Sequence, residues 1–163
     1  MLMETLSILA IAVASGKAGY VYLSDGTLQD WGITVKAAKT CSDLVGFAQG
    51  LINDLRPDVV VTEDCGKGSR KGANTRRLIQ SVAELASHNA VLDVAVPRLR
   101  RYPSKYEEAQ ALATRHPELA GYLPASKRRI FDFEPRSMVL FEALALAEEV
   151  KGGPLTQLKA ARE

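Results

Sequence analysis

The chain has 163 residues, 47% apolar and 25% charged, the balance of a soluble globular protein with one core. Disorder, collagen and a disulfide-dense scaffold are excluded, as is any ATPase built from two large lobes. The net charge of +2 conceals an asymmetry: residues 65–130 carry 13 basic and 5 acidic side chains, a net of +8, against −6 on the remainder. A two-signed chain of this kind points to a polyanionic partner held against an acidic region.

Leu6 to Ala14 is mostly apolar and ends in a sequence that mimics a signal-peptidase site. The residues before it hold Glu4 and no Lys or Arg, so a buried first strand is the expected reading. The run is also too short to span a membrane. Gly19 to Leu23 and Leu28 to Val35 read as strands, joined by an Asp25-Gly26 hairpin turn. The opening is therefore an antiparallel meander. Ser42 is the expected cap of a helix whose apolar stripe runs through Leu44, Phe47, Ala48, Leu51, Ile52 and Leu55, stopped by Pro57. Asp58 to Asp64 reads as a short buried strand, parallel and central.

Cys65 to Ala73 is a Gly/Ser/Lys/Arg loop. Asn74 or Thr75 is the expected cap of a second helix. Val91 to Val96 is a fifth strand, ended by Pro97. Ser104-Lys105-Tyr106-Glu107 is a capping box opening a helix toward His116. Pro135 suits the first residue of a last helix reaching Lys151. The expected order, βββαβαβα with one extra helix before the last, is that of an α/β RNase H-like fold: a mixed five-stranded sheet, three antiparallel strands then parallel ones, flanked by helices. The division is one domain over residues 1–151 and a flexible tail over 152–163. Cys41 and Cys65 make neither a disulfide framework nor, with His88 and His116, a metal set, and the expected compartment is the cytoplasm.

Acids in unusual places carry the chemistry. Glu63 and Asp64 stand at the carboxyl end of Val59-Val60-Val61, where open α/β sheets bind ligands. Glu142 lies in MVLFEALALA, apolar on nearly every side. A carboxylate in a buried helix is costly to ionise without a cation or a metal. Its readings are a site role, a structural ion pair with an arginine, or a Glu at the one wet edge of the helix. Glu63 and Glu142 could converge, and clustered carboxylates bind Mg²⁺ or Mn²⁺ through hard oxygens. Two such ions about 3.5–4 Å apart serve phosphodiester hydrolysis. Asp132 is a further candidate metal ligand, while Glu134 suits a charge at a helix N-terminus.

Basic residues fall in three loops. Lys67, Arg70, Lys71, Arg76 and Arg77 follow the acidic strand end. Arg98, Arg100, Arg101 and Lys105 follow the fifth strand, interleaved with Tyr102 and Tyr106. Lys127, Arg128 and Arg129 precede the last helix. Charge clusters are commonly solvated surface, but three beside an acidic site read as a phosphate-backbone footprint. The first loop lacks Walker A spacing.

At this point the chain resembles the RuvC-type Holliday-junction resolvases of the RNase H-like superfamily, from about Leu6 to Val150 and more in element order than in identity. ILAIAVASGKAGYVYL looks like the family's opening strand and Gly-Tyr hairpin, VVVTED like the strand bearing its catalytic glutamate, and FEALALA like its last-helix motif. The resemblance implies a Mg²⁺- or Mn²⁺-dependent endonuclease on structured or branched DNA, and a homodimer. Glu63 and Glu142 would be the metal ligands, Asp64 or Asp132 would assist, and Lys105 or Arg101 would hold the phosphate. Two expected acids are absent. The first-strand aspartate that bridges both metals falls at Ala12, and an acid one turn before the last falls at Val139. The alternatives are a site rebuilt by Asp64, Asp132 or Glu134, an engineered Asp→Ala change at position 12, or an inactive descendant that binds DNA or RNA or serves as a protein-interaction module.

Overall fold

The computed structural model describes residues 6–66, 71–99, 101–124 and 135–151. β1 (Ser7–Ala14), β2 (Lys17–Ser24) and β3 (Thr27–Thr34) form the meander. The β2–β3 turn is Asp25-Gly26, with φ of 55° and 75°. Positive φ at both central residues matches the right-handed twist of a hairpin, which is why Asp-Gly stands there.

α1 (Cys41–Leu55) then leads to β4 (Val59–Glu63), and α2 (Ala73–Ser87) to β5 (Leu92–Val96). α3 (Lys105–Arg115), a short 3-10 helix (Pro117–Tyr122) and α4 (Met138–Lys151) complete the described elements. The sheet order is β3-β2-β1-β4-β5, with β4 parallel to both β1 and β5. This is the mixed RNase H-like sheet that the element order predicts.

β1 is buried from Ser7 to Val13 because both of its faces are covered. Leu9, Ile11 and Val13 share a core with α1, α2 and Val60. Ile8, Ala10 and Ala12 share the opposite core with α3, α4, Val59 and Val61. Period-two alternation thus assigns each strand residue to one helical layer. The two central strands are locked at their starts by Asp58, whose Oδ2 accepts from Ser7 N at 2.9 Å and Ser7 Oγ at 3.2 Å.

Three helix starts differ from expectation. Thr40, not Ser42, caps α1, its hydroxyl accepting from Asp43 N at 3.0 Å. Gly72, not Asn74 or Thr75, precedes α2, with no side-chain cap. α4 begins at Met138, three residues past Pro135, whose carbonyl accepts from Met138 N at 3.1 Å in a preceding turn. The Ser104 cap of α3 stands as expected, its hydroxyl accepting from Glu107 N at 3.2 Å. The tail over 152–163 lies outside the described residues.

Candidate functional site

β4 carries Glu63 at its carboxyl end. Val59 and Val61 face α4, so alternation sends Glu63 to that side as well. The β1–β4 register pairs Ala10 with Val61, and two residues further on Ala12 comes level with Glu63. α4 crosses the same face and presents Glu142 at its one wet edge, between buried Phe141 and Ala143. Sequence positions 63 and 142 therefore meet at one end of the sheet.

Lys71 joins them. Its ammonium pairs with Glu142 Oε1, lies 3.4 Å from Glu63 Oε1 and donates to the Val13 carbonyl at 2.6 Å. The contact with Glu63 is ionic without hydrogen-bond geometry, since Glu63 Oε1 is buried with no hydrogen-bond partner among the described residues. Burial pushes the Glu63 carboxyl up, more than the Lys71 charge pulls it down, and Glu142 adds to the rise. Burial also works to lower the Lys71 ammonium, but Glu142 and then Glu63 outweigh it and raise it above its ordinary value. Lys71 stays charged between two carboxylates.

A cleft of about 960 Å³ opens over these groups. Glu63, Lys71 and Glu142 lie on its wall with Asp64, and Arg98, Arg101, Lys105, Tyr106 and Glu108 are among the other residues that line it. Arg98 Nη2 bonds Glu108 Oε1 at 2.8 Å, and Arg101 bonds both oxygens of Glu149 at 2.9 Å. Asp64 and Lys105 are exposed. The described lining thus offers Lys71, Arg98, Arg101 and Lys105 against Glu63, Asp64, Glu108 and Glu142, equal in number. A polyanion entering here meets a described lining whose formal charges cancel.

Arg76 and Arg77 stand exposed on the first turn of α2, beside the cleft residues Gly72 and Thr75. Of the other expected site residues, Lys67, Arg70, Arg100, Lys127, Arg128, Arg129 and Asp132 lie outside the described residues, as does Glu134. Lys71 reads from sequence as one phosphate contact in a basic loop, but the structure seats it on Glu63 and Glu142. Glu108 and Glu149, the partners of the cleft arginines, had no sequence signal beyond ordinary helix-surface acids. The seat of Lys71 had one: a glutamate inside an apolar helix requires a cation.

The places of the two absent acids are filled by close packing. Ala12 is 1% exposed and pairs with Gly19 across the β1–β2 ladder. Val139 is fully buried, and a Cβ on Gly19 would come within 2.8 Å of its Cγ1. Only a residue without a side chain permits this approach of α4 to β2.

No protein-family model matches the chain, and no curated protein matches it. Solved structures do. The Thermus thermophilus RuvC structure aligns with a TM-score of 0.54 at 15% identity, covering 96% of each chain. T. thermophilus RuvC in complex with its Holliday junction substrate gives 0.54 and 15%, over 96% of this chain and 95% of that one. Fowlpox virus resolvase in complex with Holliday junction DNA gives 0.52 and 12%, over 89% and 99%. The chain has the RNase H-like fold of these resolvases. Compared with the carboxylate set expected from that resemblance, the site departs in a definite way. Among the described residues no group of three His, Cys, Asp or Glu gathers to hold a metal. The two acids that do converge already hold an ammonium. The described residues therefore do not by themselves make up a two-ion centre. No helix of the described residues is long and apolar enough to cross a membrane, and Cys41 and Cys65 are not joined by a disulfide.

Proposed function

We propose that this chain is a RuvC-like nucleic-acid-binding protein that holds structured DNA, such as a branched junction, across the Glu63–Glu142 cleft without hydrolysing it. The observation that carries this reading is the Lys71 ammonium lodged between Glu63 and Glu142. Carboxylates facing a phosphate backbone repel it unless a cation intervenes. Here a side chain supplies that cation, so a phosphate can approach with no metal bound. Hydrolysis by the two-ion route needs carboxylates that Ala12 and Val139 do not provide.

In this reading Arg76, Arg77 and Lys105 track the backbone with the basic residues of 67–70, 100 and 127–129, and Tyr102 and Tyr106 offer rings to unstacked bases. Glu63 and Glu142 hold Lys71 in place rather than metal. We further propose a cytoplasmic location and, as the family resemblance implies, a homodimer, which light scattering on the purified chain would test.

The test is a gel pair. The protein is mixed with an end-labelled four-way junction or a plain duplex, with Mn²⁺ or EDTA, and run on native and denaturing gels. The reading expects shifted bands, unchanged by EDTA and weakened by salt, with no nicks. Metal-dependent nicks that disappear on Glu63→Gln would establish a nuclease instead. The pairing of Arg98 and Arg101 with acids favours one second reading, a protein-interaction scaffold. That reading expects no shifted band under any condition.

A further inference from the structure

The second occupant that the Glu63–Glu142 site can accept follows from the atoms around Lys71 Nζ. Three oxygens converge there: Glu142 Oε1, Glu63 Oε1 and the Val13 carbonyl. All three are hard donors of the kind that Mg²⁺ and Mn²⁺ take, and such ions commonly use one or two carboxylates and complete their shell with water. Glu63 is only 8% exposed, and its Oε1 points into this place without a hydrogen bond. At 3.4 Å Lys71 meets that oxygen more loosely than it meets Glu142, which leaves the Glu63 oxygen room for a closer cation.

We infer that Lys71 is a built-in cation that competes with divalent metal for one place, so that removing its charge turns the Glu63–Glu142 pair and the Val13 carbonyl into a single-ion Mn²⁺ or Mg²⁺ site. Two charges of the same sign cannot share the space: a divalent ion a few ångströms from an ammonium is repelled strongly enough to weaken its binding more than about tenfold, even at the dielectric of water. The wild-type chain is thus closed to the ion by its own side chain. The departure from a two-ion centre is then twofold, with acids lost at positions 12 and 139 and an ammonium placed between those that remain. The inference concerns the same cleft as the nucleic-acid reading but does not depend on it, because its test contains no nucleic acid.

The experiment titrates Mn²⁺ into wild type, Lys71→Met, Lys71→Gln and Lys71→Arg, following loss of the free Mn²⁺ resonance signal and the melting temperature. Lys71→Met and Lys71→Gln are expected to bind one ion per chain at least about tenfold more tightly than wild type. Mn²⁺ should raise their melting temperature, and adding Glu142→Gln should abolish both effects. Lys71→Arg keeps the charge and should behave as wild type. Equal Mn²⁺ affinity in wild type and Lys71→Met overturns the inference, as does a folded Lys71→Met that binds none. Should both neutral variants fail to fold, the wild-type chain decides alone. A Mn²⁺-dependent rise in melting temperature that Glu142→Gln removes would overturn the inference, and no rise supports it.

Discussion

Gly19 and Val139 press β2 and α4 together so closely that a Cβ on the glycine would stand 2.8 Å from Val139 Cγ1 and 3.1 Å from the Val139 carbonyl oxygen. The valine methyl can give way, whereas the carbonyl is fixed by its helix. Gly19→Ala is therefore expected to destabilise the fold by about 1–3 kcal/mol, the usual cost of overpacking. Val139→Ala removes only the methyl conflict, so the double variant should recover part of that loss. Urea unfolding of the four proteins of this cycle measures the coupling, and strict additivity would show that the contact carries no strain.

Glu142 and Glu63 differ in what they lose on neutralisation. Glu142 is the closer partner of Lys71, and Glu142→Gln leaves a part-buried ammonium short of its counter-charge. A loss of about 1–3 kcal/mol at neutral pH is expected. Glu63 is held above its ordinary 4.5 mainly by burial, so its ionised form is a burden on the folded state. Its contribution to stability is complete below 4.5 and fades as pH rises through the raised folded value. Glu63→Gln should accordingly cost far less than Glu142→Gln at neutral pH and should flatten that part of the stability profile. A larger loss for Glu63→Gln would reverse the assignment.

Tyr20 has a titration that can be seen directly. Its phenol is pushed up to about 12, first by burial and then by the Asp30 charge, to which it donates at 3.1 Å. The contribution is full below 10, the ordinary phenol value, and is lost as pH rises through about 12. Tyrosinate absorbance on alkaline titration should show a late step that is absent in Tyr20→Phe. Early ionisation of every tyrosine would exclude the Asp30 bond in solution.

Arg77 is exposed at the start of α2 and suits contact with the phosphate backbone. Arg77→Gln is expected to weaken junction and duplex binding alike and to lower the slope of log affinity against log salt by about one. A change in preference between the two DNAs with an unaltered slope would mean a shape-reading role.

Much of this fold is legible in the sequence because its signals are local. Ser7 to Ala14 announces a strand covered on both sides, Asp25-Gly26 dictates its turn, and Ser104 to Glu107 forms a cap within one helical turn. Helix starts are less legible, since Thr40 and Ser42 are both good caps and only the path of the chain selects between them. The convergence of Glu63 and Glu142 followed from strand direction and helix burial. That Glu142 needs a cation follows from the same burial; that Lys71 is this cation does not, because its bonds reach 58 residues back to Val13 and 71 forward to Glu142.

The covering of Ala10 and Ala12 by α4 has a consequence for biosynthesis. α4 is the last described element, so until residues 138–151 leave the ribosome one face of the central sheet has lost most of its cover and Lys71 lacks its principal anion. A nascent chain halted before Met138 exposes the apolar face that carries Ala10 and Ala12. Completion of the final helix seals that surface and seats the ammonium in the same event.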